Sequence, residues 1–540
     1  MPPSYVAAVD RIFEDFADPG SAGCAVGVIR NGDLEYAAGY GLASIEHRIP
    51  FGPSTVVNLG SMAKQFTGML VALLVDDGAL CLDDDIREHL PELHDFGSRI
   101  TVRHLVHHTS GLRGTYPDLF VLGGWGMTDR MTTPDVLRLM SAQRELNYPP
   151  GDEFLYVNSG YTLLALIAER VAGESFGALA KRRIFDPLGM TDTSVREDHT
   201  AVMANAAGGY YREDGGVWKQ TVVTDSVIGS TNVWSTVEDL ARWDRNFITG
   251  EVGGRSVVAQ IHETGKLNDG SALGYAFGLE ASPDNTHRGW RVVEHGGQHG
   301  GHCVHMMRFP DAGISVVVVF NLFLWTVREH ALQVADLLLG DESPQAAEAV
   351  AIEQTAYADN SDLGALVGTY FNDARAALRT VAVDDDRLTY EHLPLTPIGP
   401  ARFVVDADPS VEVSFAEEKG RRFVQTNTPS GRYRYEYVDP PRIESGALGQ
   451  IAGTYECPEL AVRWAIGAAE DHLVVHRPRF SDTVMTPAFR DGFVDSWDPI
   501  VDFPLSFVIR FDRDSSETVV GCRVSGDRVR NLRFLRVGAE

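Results

Sequence analysis

A short pattern occurs twice in the C-terminal part of the chain. Residues 363–370, LGALVGTY, return eighty-five residues later as LGQIAGTY at residues 448–455. Each copy introduces short runs in which apolar and polar residues alternate, such as residues 378–383 and 433–438, and this period is typical of strands with one buried face. Each repeat is long enough for about eight strands, which predicts two antiparallel β-barrels at residues 361–441 and 442–540.

The chain before the repeats predicts a separate domain, because 540 residues exceed what one hydrophobic core usually serves. An amphipathic helix at residues 4–16 leads to two strand patterns around an Asn-Gly turn, and most further helical patterns precede the strand patterns near residue 320. This mixture predicts an α+β domain over residues 1–340. An Ala-, Glu- and Gln-rich stretch predicts a linker at 341–360.

Charge and composition argue against several classes of function. A formal charge of −28 disfavours nucleic acid and anionic membranes as partners. No run of eighteen apolar residues is present, and the N-terminus lacks a basic segment followed by an apolar one, so we expect a cytoplasmic protein. The five cysteines have no spacing typical of zinc or disulfides. We expect a small-molecule or short-peptide substrate as the partner and leave a homodimer open.

Ser61 and Lys64 lie three residues apart at the start of a helical pattern. The apolar residues that follow recur at three- and four-residue steps, which predicts a helix with one buried stripe. Residues i and i+3 share a helical face, so the Lys64 amine can reach the Ser61 hydroxyl and act as its base if burial lowers its pKa. The alternative is a helix-capping serine followed by a surface lysine.

Two later segments carry groups that such a nucleophile needs. Tyr156 can relay a proton to a leaving group if nearby cations favour its phenolate, and Asn158 can hold a substrate carbonyl and the lysine. The segment His295-Gly296-Gly297-Gln298 reads as a strand edge whose glycines let a substrate approach the backbone. The N–H groups of Ser61 and Gln298 are then candidate donors to an oxyanion.

The histidines and glycines of residues 295–302 have other interpretations. His295, His299 and His302 could be metal ligands, but the intervening glycines favour a strand and turn over zinc. The glycine-rich run is not a phosphate loop, because no Lys-Ser or Lys-Thr pair follows it. We therefore expect no metal and no cofactor.

The order and spacing of Ser61-x-x-Lys64, Tyr156-x-Asn158 and His295-Gly-Gly297 resemble the serine β-lactamase and penicillin-binding-protein superfamily, near its class C branch. The resemblance covers residues 5–335 and implies a β-lactamase-like catalytic domain that forms an acyl-enzyme. The third motif usually begins with lysine and threonine in that superfamily. Histidine there argues against a true β-lactamase, because a fixed cation is replaced by a group that is neutral for much of the time at pH 7.

The whole-chain layout resembles the D-stereospecific aminopeptidases of that superfamily. In that family a loop from the last barrel presents an aspartate to the substrate's free amine, and the matching stretch here is residues 477–482, which makes Asp482 the candidate. A solvated hairpin turn is the alternative. Arg477 and Arg479 in the same loop could instead favour an acidic substrate.

The sequence thus predicts a serine hydrolase, with a D-aminopeptidase or D-amino-acid amidase as the leading hypothesis. An esterase or transacylase acting on a small-molecule acyl group and a D-Ala-D-Ala carboxypeptidase are alternatives within the same chemistry. A non-catalytic penicillin-binding sensor is the alternative from another class.

Overall fold

The computed structural model describes residues 5–126, 128–213, 215–340, 360–384, 386–406, 408–428, 431–439, 446–495 and 507–538. An α+β domain is followed by two closed eight-stranded antiparallel barrels, which confirms the predicted fold class. The linker predicted at 341–360 lies outside the described residues except for its last position. Within the described ranges, no helix is both long enough and apolar enough to span a membrane.

A five-stranded antiparallel sheet forms the centre of the first domain, in the spatial order β3–β4–β5–β1–β2. Its strands are β1 (Cys24–Arg30), β2 (Asp33–Tyr40), β3 (Val293–His299), β4 (His302–Phe309) and β5 (Ile314–Phe320). The N-terminal hairpin of β1 and β2 joins the three strands from the end of the domain. Strand β1 pairs with β5, and Val26 lies opposite Val318. All residues of β4 and β5 are buried, because helices cover both faces. Strand β3 lies at the edge of the sheet, and on its outer side Glu294 pairs with Glu280 through two backbone hydrogen bonds.

Helices pack on both faces of this sheet. The longer ones are α1 (Val6–Ile12), α2 (Lys64–Asp76), α3 (Thr133–Ala142), α4 (Asn158–Ala172), α5 (Val237–Thr249), α6 (Gly254–Gln260) and α7 (Val327–Leu339). Shorter helical segments are Ile86–His89, Val102–Val106, Phe120–Leu122, Phe176–Ala180 and Asp186–Leu188. Helices α1 and α7 share one hydrophobic cluster with the sheet, and α2 to α6 belong to the cluster on the other face.

Short strand pairs outside the central sheet complete the first domain. They are Leu42–Ser44 with Ile49–Pro50, Gly209–Arg212 with Trp218–Thr221, Thr286–His287 with Trp290–Arg291, and the set Val57–Asn58, Val233–Ser235 and Ser194–Val195.

Helix α2 differs from the prediction of one buried stripe. Every residue from Lys64 to Leu74 is buried, so the helix passes through the middle of the domain and is covered on all sides. Gly68 makes this fit, because a Cβ added there would lie 2.3 Å from the carbonyl oxygen of Phe277. A lysine at the start of such a helix is therefore a core residue.

The two barrels use equivalent strands. The first comprises Gly368–Asn372, Ala377–Asp384, Arg387–Tyr390, Leu393–Gly399, Arg402–Val405, Asp408–Glu418, Arg421–Thr428 and Gly431–Val438. The second follows the helix Ala447–Ile451 and comprises Gly453–Cys457, Val462–Ala468, Leu473–His476, Thr483–Phe489, Gly492–Asp495, Val508–Arg513, Val519–Ser525 and Leu532–Val537.

The sequence repeat marks the same structural position in both barrels. The Tyr370 hydroxyl donates a hydrogen bond to the Leu366 carbonyl, and the Tyr455 hydroxyl donates to the Ile451 carbonyl. Each tyrosine thus ties the first strand of its barrel to the segment that precedes it. The core of the second barrel is continuous with the core of the first domain, whereas the first barrel has a separate core.

Candidate active site

Ser61 and Lys64 meet at the point where a tight turn becomes a buried helix. Ser61 lies on the 3-10 turn Gly60–Ala63, and α2 begins at Lys64. Lys64 Nζ donates to Asn158 Oδ1 at 2.8 Å and to the Ser230 carbonyl at 3.0 Å, and it lies within hydrogen-bond distance of Ser61 Oγ, at 3.1 Å. The Asn158 amide also donates to the Tyr116 carbonyl at 3.2 Å, which holds its oxygen towards the lysine.

The surroundings of Lys64 favour its neutral form. Burial lowers its pKa well below the ordinary value for lysine, and the nearby Arg528 charge lowers it further. A neutral amine can accept a proton, so Lys64 has the electronic state that a base for Ser61 needs.

Glycines let the Ser61 turn and strand β3 approach each other closely. A Cβ added to Gly297 would lie 1.9 Å from the Leu59 carbonyl oxygen, and one added to Gly60, which has φ +51°, would lie 2.4 Å from the backbone nitrogen of Gln298. This approach brings the backbone of Gln298 against the turn that carries Ser61.

Tyr156 lies two residues before the start of α4 and has a buried hydroxyl. Within the described chain, this hydroxyl has no hydrogen-bond partner of normal geometry. Burial raises the pKa of Tyr156 well above its ordinary value, against the smaller opposing effects of Ser61 and of the Arg528 charge. Tyr156 is therefore a phenol in the free protein, so the condition of a cation-favoured phenolate is not met.

His295 is held as a neutral imidazole on β3. Burial, with a smaller contribution from the neighbouring Lys64, lowers its pKa to about 3. Its Nδ1 lies 2.5 Å from the Gly296 carbonyl, which can only accept, so the proton belongs on Nδ1 and Nε2 accepts from the Tyr275 hydroxyl at 3.0 Å. His295 thus contributes shape and hydrogen bonding without positive charge at pH 7.

A cavity of about 390 Å³ opens in front of Ser61. The structure brings together at or beside it every predicted site residue except Asp482, namely Ser61, Lys64, Tyr156, Asn158, His295, Gly296, Gly297 and Gln298. In the described chain, no three His, Cys, Asp or Glu side chains are grouped to hold a metal ion. His299 instead pairs with Asp225 at 2.7 Å.

Asp482 does not reach this cavity. Its carboxylate is exposed and lies 2.6 Å from Nδ1 of His476, within its own barrel. Arg479, in the same loop, contacts the first domain through an ion pair with Asp129. The expectation that Asp482 presents its carboxylate to a substrate amine is therefore not supported, because the loop docks beside the site instead of in it.

Sequence reasoning missed Arg528, which lines the cavity, and two residues that pack behind Tyr156. The His108 ring lies 4.4 Å from that of Tyr156 and 4.7 Å from that of Tyr275, centroid to centroid. Arg528 comes from the second barrel, and its guanidinium lies 5.5 Å from the centre of the Tyr156 ring. No local pattern marks these residues, since their place depends on how distant segments pack.

Comparison with known proteins gives a consistent result. Residues 9–340 match the family model described as Beta-lactamase. A D-aminopeptidase of Gluconobacter oxydans is 29% identical over 58% of this chain and 58% of its own length. A D-aminopeptidase of Cereibacter sphaeroides is 26% identical over 86% of this chain and 84% of its own. The octameric penicillin-binding protein homologue from Pyrococcus abyssi has a similar structure, with a TM-score of 0.57 and 24% identity over 80% of this chain and 99% of its own.

Proposed function

The chain belongs to the Beta-lactamase family and is a serine hydrolase, and from this premise we propose that it cleaves amide bonds in short peptides and amides that contain D-amino acids. The contact of Lys64 Nζ with Ser61 Oγ at 3.1 Å carries the proposal, because burial lowers the pKa of this amine and favours its neutral form. Two relatives named D-aminopeptidase support the choice of substrate class.

In the proposed reaction Ser61 Oγ attacks the amide carbonyl carbon while its proton passes to Lys64 Nζ. The N–H groups of Ser61 and Gln298 hold the oxyanion that forms. The C–N bond then breaks, and the leaving nitrogen takes a proton from the Tyr156 hydroxyl, which recovers one from Lys64. Water attacks the acyl-enzyme by the same route in reverse and releases the acid.

His295 and Asn158 have positioning roles in this proposal. The Asn158 side chain bridges Lys64 and the Tyr116 carbonyl, which keeps the amine directed at Ser61. His295, as a neutral acceptor, fixes the Tyr275 hydroxyl beside the Tyr156 ring. A second cation at position 295 would raise the cost of protonating Lys64 during the reaction.

The test compares the D- and L-alanine p-nitroanilides with wild-type protein and two serine variants. We expect faster hydrolysis of the D-enantiomer, and a fall in kcat/KM on the order of 10⁴-fold or more in Ser61→Ala. Ser256→Ala is the matched control, because Ser256 is an exposed serine on α6, away from the cavity. Unchanged turnover in Ser61→Ala would refute the acyl-enzyme mechanism, and equal rates for both enantiomers would refute the D-preference.

A further inference from the structure

One hairpin of the second barrel enters the first domain. We call residues 526–531, between the strands Val519–Ser525 and Leu532–Val537, the site hairpin. Its backbone is held on both sides of Arg528: Gly114 N–H donates to the Arg528 carbonyl at 2.8 Å, and Arg528 N–H donates to Asp118 Oδ1 at 3.1 Å. Asn147 adds a bond from its amide to the Arg528 carbonyl at 3.0 Å.

The rest of the hairpin is anchored by buried charges. Arg530 makes two bonds of 3.0 Å to the Glu153 carboxylate, and the Arg113 guanidinium donates to the Arg530 carbonyl at 3.2 Å. Arg113 and Arg530 are 1% and 3% exposed, so both guanidinium groups are buried in this interface. The position of residue 528 is therefore set by the body of the protein and not by a free loop.

Arg528 places a cation in the wall of the active-site cavity. Its side chain packs over Gly114, where an added Cβ would lie 2.7 Å from the Arg528 Cβ, and Arg528 lines the cavity together with Ser61 and Tyr156, with its guanidinium 5.5 Å from the centre of the Tyr156 ring. Among the described residues Arg528 forms an ion pair with Asp527 at 3.4 Å, and the Asp527 side chain is 75% exposed. An exposed carboxylate at that distance neutralises the guanidinium weakly.

Other charged groups of the cavity have partners of opposite charge. Asp225 pairs with His299 at 2.7 Å, and Arg328 pairs with Glu294 at 2.8 Å. Burial and the Glu294 charge raise the pKa of Glu280, which favours its neutral form. Arg528 is thus the cation that an incoming anion meets beside Ser61.

We propose that Arg528 binds a carboxylate of the substrate, so that this enzyme prefers peptides and amides that carry a carboxylate close to the scissile bond. A guanidinium offers a planar pair of N–H donors that matches a carboxylate, and partial burial strengthens the contact. The same charge repels a substrate ammonium group. The inference rests on the proposed amide hydrolysis and specifies its substrate class.

Two matched pairs of substrates test the preference for a carboxylate and show on which side of the scissile bond it is recognised. The first pair is N-acetyl-D-Ala-D-Ala and its C-terminal amide, which differ by a carboxylate on the leaving group. The second pair is N-succinyl-D-Ala p-nitroanilide and N-acetyl-D-Ala p-nitroanilide, which differ by a carboxylate on the acyl side. We expect wild-type kcat/KM to be about tenfold or more higher for the carboxylate member of one pair.

Variants of Arg528 then test whether this residue causes the preference for a carboxylate. Arg528→Gln keeps most of the side-chain stem and is expected to reduce that ratio to about one, while Arg528→Lys keeps the charge without the planar fork and retains part of it. Arg479→Ala is the matched control, because Arg479 is an exposed arginine of the same barrel that contacts the first domain outside the cavity. The control is expected to keep the full ratio.

The outcomes separate this inference from the proposed function. Ratios near one in both pairs for the wild-type protein, or a ratio unchanged in Arg528→Gln, would overturn the role of Arg528 even if Ser61 proves essential. Turnover that survives Ser61→Ala would overturn the proposed function instead. A burst of p-nitrophenol from p-nitrophenyl acetate shows that each variant is folded and can be acylated, and the wild-type ratios test the inference without any variant.

Discussion

Burial gives Lys64 a different chemistry from that of an ordinary lysine. It lies at the start of a helix that is covered on all sides, and the neighbouring acceptors Ser61, Asn158 and the Ser230 carbonyl are uncharged. With no carboxylate among these partners, desolvation dominates and the neutral amine is favoured.

The pH dependence of hydrolysis should reflect the titration of the Lys64 amine. Lys64 must be neutral to accept the Ser61 proton, so we expect kcat/KM to rise with pH to a plateau reached well below pH 10. Arg528→Gln removes a nearby positive charge, which raises the pKa of Lys64 and should move the rising limb to higher pH. His295 has a pKa of about 3 and is expected to add no limb between pH 5 and 8. A limb that Arg528→Gln leaves in place or moves to lower pH would contradict the assignment to Lys64.

Tyr156→Phe should slow hydrolysis most for substrates whose leaving group must be protonated. Because Tyr156 is a protonated phenol, its loss removes the proton donor to a leaving amine, and we expect anilide hydrolysis to fall by about 10²- to 10⁴-fold. Hydrolysis of p-nitrophenyl esters, whose leaving group departs as a stable anion, should fall much less. Steady-state kinetics on both substrates measure the difference. An equal fall for both would indicate a positioning role instead.

At the scale of elements, the site depends on one turn pressed against one strand. Strand β3 lies at the sheet edge. Because Gly297 and Gly60 have no side chains, this strand can approach the Ser61 turn closely. The same arrangement makes the contact sensitive to added volume.

Gly297→Ala is expected to cost stability and activity together. The added methyl would overlap the Leu59 carbonyl, so the strand and the turn must separate, at a cost of about 1–3 kcal/mol. Thermal unfolding and the rate of acylation measure both effects. Gly52→Ala is the matched control, because a Cβ there meets nothing within 4 Å. Equal melting temperatures and equal acylation rates in the two variants would exclude the close contact.

The sequence predicted helices and strands correctly where a short-range pattern of residues determines them. The alternating runs and the repeat predicted both barrels, and the step of three residues predicted the contact between Ser61 and Lys64. The pattern after Lys64 predicted a helix but not its complete burial, because Gln65, Thr67 and Gly68 read as an outward face. Their burial follows from segments distant in the sequence, such as that of Trp243, 178 residues from Gln65, whose indole donates to Gln65 Oε1 at 2.9 Å.

At the scale of the whole molecule, the second barrel is part of the active site. Its core merges with that of the first domain, and Arg113 links the two through Glu459 at 2.8 Å and the Arg530 carbonyl. Arg113 has a fully buried side chain, and that of Glu459 is 9% exposed. A buried pair of this kind is costly to break one partner at a time.

Arg113→Met should therefore weaken the docking of the second barrel. It leaves Glu459 buried without its cation, and we expect a loss of about 3–5 kcal/mol of stability, measured by calorimetry. The preference for carboxylate substrates should fall as well, since the site hairpin loses an anchor. Arg144→Met, which changes an exposed neighbour of the same interface, is the control. A melting curve like that of the control would show that the interface does not depend on Arg113.

The chemistry of this enzyme could be predicted from residue types and short spacings, whereas its substrate selection could not. A hydroxyl and an amine one helical turn apart, and strands that alternate with a period of two, follow local rules that hold wherever the segment lies. Which loop of the second barrel reaches the cavity depends on the fit of two surfaces, through contacts such as those of Arg530 with Glu153 and Asn147. That fit brings Arg528 to Ser61 and leaves Asp482 beside His476, because docking is decided by shape and buried charge over several hundred residues of separation.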